Sequence, residues 1–202
     1  IFDLAGLGHQ LKRWRLLGKK IVFTNGVFDI LHEGHIASLS QAASLGHILI
    51  IGVNTDDSVK RLKGPARPVN NENSRALLLA SLLITDAIIL FEEDTPFNLI
   101  TTILPDILVK GGDYSLDNIV GAKEVMANGG EVKIVPILQG FSTTGIIEKM
   151  KNIIREELNP TGCYKRTFDI SNDWSGRKII LHFDGVKSNA FVWINGKYLG
   201  YD

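Results

Sequence analysis

The sequence predicts an α/β protein built on a doubly wound parallel sheet, followed by a short all-β antiparallel fragment. Three observations carry this. Short apolar runs of strand length alternate about five times with segments of helical spacing, the pattern of parallel strands joined by right-handed crossovers. The run Ile48-Leu49-Ile50-Ile51-Gly52-Val53 is apolar without alternation, as suits a strand covered on both faces. Near Asn159-Pro160 the helical spacing stops and only strand-like runs follow. The expected domains are residues 1–157 and 158–202.

Each element has its own local reason. Leu4, Leu7, Leu11, Trp14 and Leu17 recur at helical spacing, and Gly18 ends that helix. Residues 20–24 read as a buried strand and 33–45 as a helix closing at Gly46. Residues 48–53 are the second strand and 56–63 a short helix, with a Pro/Gly loop at 64–68. Asn71 or Asn73 caps a helix running to about Leu83. Asp86–Phe91 is the third strand, and Asp94-Thr95-Pro96 opens a helix with Pro96 near its first turn. Ile107–Val109 is a strand, 119–128 a helix ending at Gly129-Gly130, 132–137 a strand and 143–155 a helix. In the tail, Cys163–Ile170, Lys178–Val186 and Ala190–Tyr201 read as strands, with Asn195-Gly196 as a hairpin turn.

Bulk properties exclude several classes. Lysine plus arginine and aspartate plus glutamate number 22 each, so charge makes no case for a nucleic-acid or acidic-membrane partner, and neither is expected. No run of about 18 apolar residues is available to span a membrane. Cys163 is the single cysteine, compatible with a reducing, cytoplasmic setting. With no initiator Met, Ile1 is expected not to be the natural start.

The chemistry concentrates at Thr24-Asn25-Gly26-Val27-Phe28-Asp29-Ile30-Leu31-His32-Glu33-Gly34-His35, between the first strand and its helix. Strand, glycine turn and helix start present backbone N–H groups and a helix dipole to phosphate. His32 and His35 are three residues apart, so both imidazoles can face one side. They are the first candidates, with Asn25 and Gly26 allowing close approach of backbone to phosphate. Asp29 is a candidate to orient an amide or help place Mg²⁺, against the alternative of a turn residue. Lys60, Arg61 and Lys63 follow the second strand, with Lys63 preferred as a triphosphate contact over a solvated face. Arg75, at the start of an otherwise apolar helix, is a candidate phosphate contact. Lys110-Gly111-Gly112-Asp113 is a turn by default and a substrate clamp by position. Ser142, Thr143 and Thr144 are N-capping residues whose hydroxyls and amides could also hold phosphate. No zinc-spaced cluster, Walker loop or G-x-G-x-x-G occurs.

Residues of about 18–152 resemble the nucleotidyltransferases with an H-x-G-H signature, here His32-Glu33-Gly34-His35, and their Rossmann-like fold. Arg61-Leu62-Lys63-Gly64, Arg67-Pro68, Phe91 to Pro96, Leu108 to Tyr114, Ala127 to Val132 and Ser142-Thr143-Thr144 narrow this to the bacterial D-glycero-β-D-manno-heptose 1-phosphate adenylyltransferases. These occur alone or joined to a sugar kinase. The resemblance implies transfer of AMP from ATP to heptose 1-phosphate with Mg²⁺, giving ADP-heptose and pyrophosphate for lipopolysaccharide and other surface glycans. It implies that His32 and His35 stabilise phosphates in the transition state, and that Lys63, Arg75 and Lys110 contact phosphates. Thr24, Asn25, Gly26, Phe28, Asp29, Gly111, Asp113 and Ser142 to Thr144 would form the nucleotide-binding surface. A homodimer is expected, as is fusion to, or loss of, an upstream sugar kinase. Val27 and His47 depart from residues usual in that family, away from the phosphate positions.

The tail is similar to the N-terminal jelly-roll domain of bacterial family two β-galactosidases, through Asn159 to Tyr164, Asp173-Trp174, Phe183 to Val186, Trp193 to Gly196 and Gly200-Tyr201. The carboxylate pair of such hydrolases falls outside this slice, so no glycosidase activity is expected. The juncture reads as a join between unrelated genes rather than an evolved pairing. Two other functions remain in contention: a cytidylyltransferase acting on a polyol phosphate, and a non-catalytic carbohydrate-binding chimera.

Overall fold

In the computed structural model, the described residues are 1–112, 115–136, 138, 140–153, 167, 169, 171–176 and 191–201. Two compact units are distinguished, Ile1–Asn159 and Pro160–Asp202.

In the first unit the apolar runs become five parallel strands: β1 (Ile21–Gly26), β2 (Ile48–Asn54), β3 (Ala87–Phe91), β4 (Ile107–Gly111) and β5 (Glu131–Val135). Their order is β3-β2-β1-β4-β5, with β1 paired to β2 from Ile21↔Ile48 to Gly26↔Val53. The order reverses beside β1, so the carboxyl ends of β1 and β4 part there and leave a crevice. This is the doubly wound parallel sheet expected.

Alternation along the strands divides the core between two faces. Ile21, Phe23, Ile50 and Ile89 join Leu7 and Leu11 of α1 (Leu4–Leu16), Leu99, Ile100 and Ile103 of α5 (Phe97–Ile103), and Val125 of α6 (Ala122–Ala127). Val22, Leu49, Ile51 and Ile88 meet Leu39 and Ala42 of α2 (Glu33–Ala43) and Ala76 and Leu79 of α4 (Glu72–Ala80). Each fully buried aliphatic side chain contributes roughly 1.5–3 kcal/mol of transfer free energy. The remaining helices of this unit are α3 (Asp56–Lys63) and α7 (Thr143–Ile153).

Polar ends are locked locally. Asn71, rather than Asn73, caps α4 by accepting from the Ser74 amide at 2.9 Å. At the amino edge of the sheet, Asp106 accepts from the Ile21 amide and Asp86 from the Leu49 amide, both at 2.7 Å. His47, which the sequence left without a role, does the same for the Lys20 amide through Nδ1 at 2.9 Å.

In the second unit, β6 (Phe191–Ile194) and β7 (Lys197–Tyr201) form an antiparallel hairpin. Asn195 and Gly196 turn at φ 51° and 78°, the positive pair that a two-residue hairpin turn requires. A short 3-10 turn at Asn172–Trp174 was not expected. The strand-like runs expected at Cys163–Ile170 and Lys178–Val186 lie largely or wholly outside the described residues.

Candidate active site

The crevice at the strand-order reversal is a cleft of about 320 Å³. Of its lining residues, Thr24, Asn25 and Gly26 end β1, and Val109 and Gly111 belong to β4. Phe28, His32, Gly34 and His35 also line it, as do Phe141, Ser142 and Thr143. The starts of α2 and α7 therefore both reach the cleft, bringing the electropositive end of each helix dipole to it.

The two imidazoles stack, with centroids 3.8 Å apart and planes inclined by 18°. His32 is the N-cap residue of α2 and His35 lies in its first turn, which brings the rings together. Gly34 permits the approach: a Cβ there would lie 3.2 Å from His32 Cε1 and 3.2 Å from Phe141 Cβ. The Phe28 ring stands edge-on to His35 at 5.2 Å. Nδ1 of both histidines is buried without a hydrogen-bond partner. Burial lowers the His32 pKa. His35 is lowered to about 4, first by burial and then by His32, with the Ile30 backbone opposing. Both rings are thus held neutral near pH 7.

Lys110 leaves the end of β4 and donates from Nζ to Asn25 Oδ1, tying the two strands together. Burial lowers its pKa to about 8. Ser142 Oγ accepts from the Gly145 amide at 3.0 Å, so it caps the first turn of α7.

Other expected site residues fall elsewhere. Arg75 was expected to contact phosphate. Instead its side chain is fully buried, and each guanidinium nitrogen donates within the protein. Nη2 pairs with Asp56 Oδ1 at 2.7 Å, Nη1 bonds the Val27 carbonyl at 2.7 Å, and Nε bonds the Asn70 carbonyl at 3.0 Å. Asp29 was expected to face an amide or Mg²⁺. It meets amides, but those of Val69 and Asn70, while its other oxygen pairs with Arg67. With both oxygens so occupied and 2% of the residue exposed, it is not placed as a metal ligand. Lys63 is exposed at the end of α3, and Thr144 is exposed on α7; neither lines the cleft. Asp113 and Tyr114 lie outside the described residues. Among the described residues no group of three or more His, Cys, Asp or Glu side chains is gathered for a metal ion.

Sequence reasoning missed Arg67 as Asp29's partner, and it missed Ser38, Val135 and Phe141 in the lining. Phe141 directly precedes the Ser-Thr-Thr run, a position that could have singled it out.

A doubly wound sheet with paired imidazoles and two helix starts at its switch point defines a nucleotidyltransferase. Residues 23–149 match the family model described as cytidylyltransferase-like, and residues 143–202 match that of glycosyl hydrolases family 2, sugar binding domain. The chain belongs to the cytidylyltransferase-like family. It is 58% identical over 151 residues to the bifunctional protein HldE of Haemophilus influenzae strain PittGG, covering 75% of this chain and 32% of that protein. With the bifunctional protein HldE of Hyphomonas neptunium it shares 54% identity over 140 residues, covering 69% of this chain and 29% of that one. The chain thus spans about a third of the length of these curated relatives. A lipopolysaccharide core biosynthesis protein from Thermoplasma volcanium, of known crystal structure, is 35% identical over 60% of this chain and 98% of its own, with a TM-score of 0.49. Both expected resemblances are borne out by these matches. No helix among the described residues is long and apolar enough to cross a membrane.

Proposed function

We propose that this chain transfers AMP from ATP to D-glycero-β-D-manno-heptose 1-phosphate, releasing pyrophosphate and forming ADP-heptose for lipopolysaccharide and other surface glycans. The observation that carries this is the stacked, neutral His32–His35 pair in a cleft entered by two helix starts. The attacking sugar phosphate oxygen is already an anion, so no general base is needed. The protein must hold attacker and α-phosphorus in line and stabilise the charge that spreads over the phosphoryl oxygens. The imidazoles supply neutral N–H donors for that charge. Lys110, which lies between the lining residues Val109 and Gly111 and is bonded to the lining residue Asn25, supplies a cation, and Ser142, Thr143 and the N-termini of α2 and α7 supply further donors. Thr24, Asn25, Gly26, Phe28 and Gly111 shape the nucleotide surface. Lys63 would have to act through a longer reach than the cleft lining provides.

The HldE relatives named above are bifunctional, and 58% identity over the α/β part supports the heptose substrate over a polyol phosphate. In this reading Mg²⁺ enters with the triphosphate, the activity resides in residues 1–157, and the tail contributes no chemistry. The setting is cytoplasmic and the working form a homodimer, associated with a sugar kinase in cis or in trans. Pyrophosphate release is measured with ATP or CTP against heptose 1-phosphate and a polyol phosphate. Turnover with ATP and heptose 1-phosphate, lost in His35→Ala, is expected. Turnover only with CTP and a polyol phosphate favours the cytidylyl reading, and glycan binding without turnover favours the carbohydrate-binding one.

A further inference from the structure

Beside the cleft lies a buried polar network that this mechanism does not use. Asp29 is at its centre, one residue after Phe28. Its Oδ2 pairs with Arg67 Nε at 2.5 Å, and its Oδ1 accepts from the Val69 and Asn70 amides at 2.7 and 2.9 Å. Asn70 Nδ2 returns a bond to the Asp29 carbonyl at 2.7 Å, and Arg75 Nη1 holds the Val27 carbonyl at 2.7 Å. Arg75 Nε closes the ring of contacts by donating to the Asn70 carbonyl.

The two carbonyls so held, Val27 and Asp29, flank Phe28. Phe28 sits at φ 50°, a region that bulky residues avoid and that persists only where the surroundings impose it. Its ring is the one that stands edge-on to His35. The contacts therefore hold the carbonyl of the peptide group entering Phe28 and that of the peptide group leaving Asp29, and so bracket the residue whose ring meets His35.

We infer that the Arg67–Arg75 segment is a clasp in which Arg67, Asn70 and Arg75 act as positioning residues, setting Phe28 and through it His35 for the reaction in the cleft. The kinetic consequence rests on the proposed adenylyl transfer; the geometric one does not. Two substitutions in the full chain separate the cases. Asn70→Ala removes the bond to the Asp29 carbonyl and leaves the ion pair, so it folds. Arg67→Met strands the Asp29 carboxylate, and Arg67→Lys keeps the charge.

A misplacement of about 1 Å costs up to roughly 100-fold, so Arg67→Met should lower kcat by about that factor with little change in the KM for ATP. Asn70→Ala should lie between it and the unaltered chain, and Arg67→Lys should recover part of the loss. Titration of His35 followed by NMR reads the geometry directly. Its pKa should rise from about 4 toward 6.5 in Asn70→Ala as Phe28 loosens. An unchanged His35 titration in Asn70→Ala overturns the clasp, as does a kcat that falls only in proportion to the folded fraction. If no nucleotidyl transfer occurs with any substrate pair, the proposed function fails and the His35 titration alone decides the clasp.

Discussion

Replacing Arg75 by Met keeps most of the aliphatic volume and removes every donor. The ion pair with Asp56 is lost, and the Val27 and Asn70 carbonyls lose a partner. Breaking a buried pair by removing one member costs about 3–5 kcal/mol, and each stranded polar group about 1–3 kcal/mol. Asp56 retains some solvent access, with 26% of its side chain exposed, which moves its share to the lower end. At the lower ends of these ranges the total is about 5 kcal/mol, a large part of the roughly 5–15 kcal/mol that holds a domain. Urea unfolding followed by the helical circular dichroism band measures it. With a slope near 2 kcal/mol/M the midpoint should fall by about 2.5 M. An unchanged midpoint with only a raised KM for ATP would refute the structural role and restore the phosphate-contact reading.

The remaining expectations concern the cleft. His35 has a folded pKa of about 4 against 6.5 unfolded, so between those values the unfolded chain binds more protons. Its stabilising effect is whole above about 6.5 and is lost as pH falls toward 4; His35→Gln should flatten that limb in denaturation measured across pH, and an unaltered slope would count against the burial. Lys110, at about 8, loses its charge as pH rises through that value, so kcat/KM for ATP should fall on the alkaline side, and Lys110→Arg should move that limb upward. A pH profile flat to 10 would remove Lys110 from phosphate binding. Gly34→Ala places a Cβ 3.2 Å from both His32 and Phe141; turnover should drop while the unfolding midpoint changes little, and full activity would contradict the close stacking.

The sheet was legible because its central strands are continuous apolar runs: Ile48–Asn54 is buried at every position, which only a doubly covered parallel strand requires. The hairpin turn was legible because Asn195-Gly196 answers a local backbone demand. The histidine pair was legible because three residues on a helix start determine its geometry. What escaped was long-range and polar. Arg75 looked like a cation at a helix start, since nothing local reveals Asp56 nineteen positions earlier or the carbonyl of Val27. Asp29 likewise meets Arg67 across an intervening strand, and a carboxylate in a turn looks the same whether it faces a ligand or a guanidinium. His47 had a positional signal that went unread: like Asp86 and Asp106, it immediately precedes a strand, where a side chain can accept an amide at the start of the neighbouring, earlier strand.

In the proposed function the cleft between β1 and β4 directs a sugar phosphate oxygen onto the α-phosphorus of ATP. Parallel reactions with α-labelled and γ-labelled ATP and heptose 1-phosphate test it most directly. The α-label is expected in the nucleotide sugar, the γ-label in pyrophosphate, and neither transfer in His35→Ala. Label from the γ-position in the sugar product, or α-label transfer undiminished in His35→Ala, would contradict it.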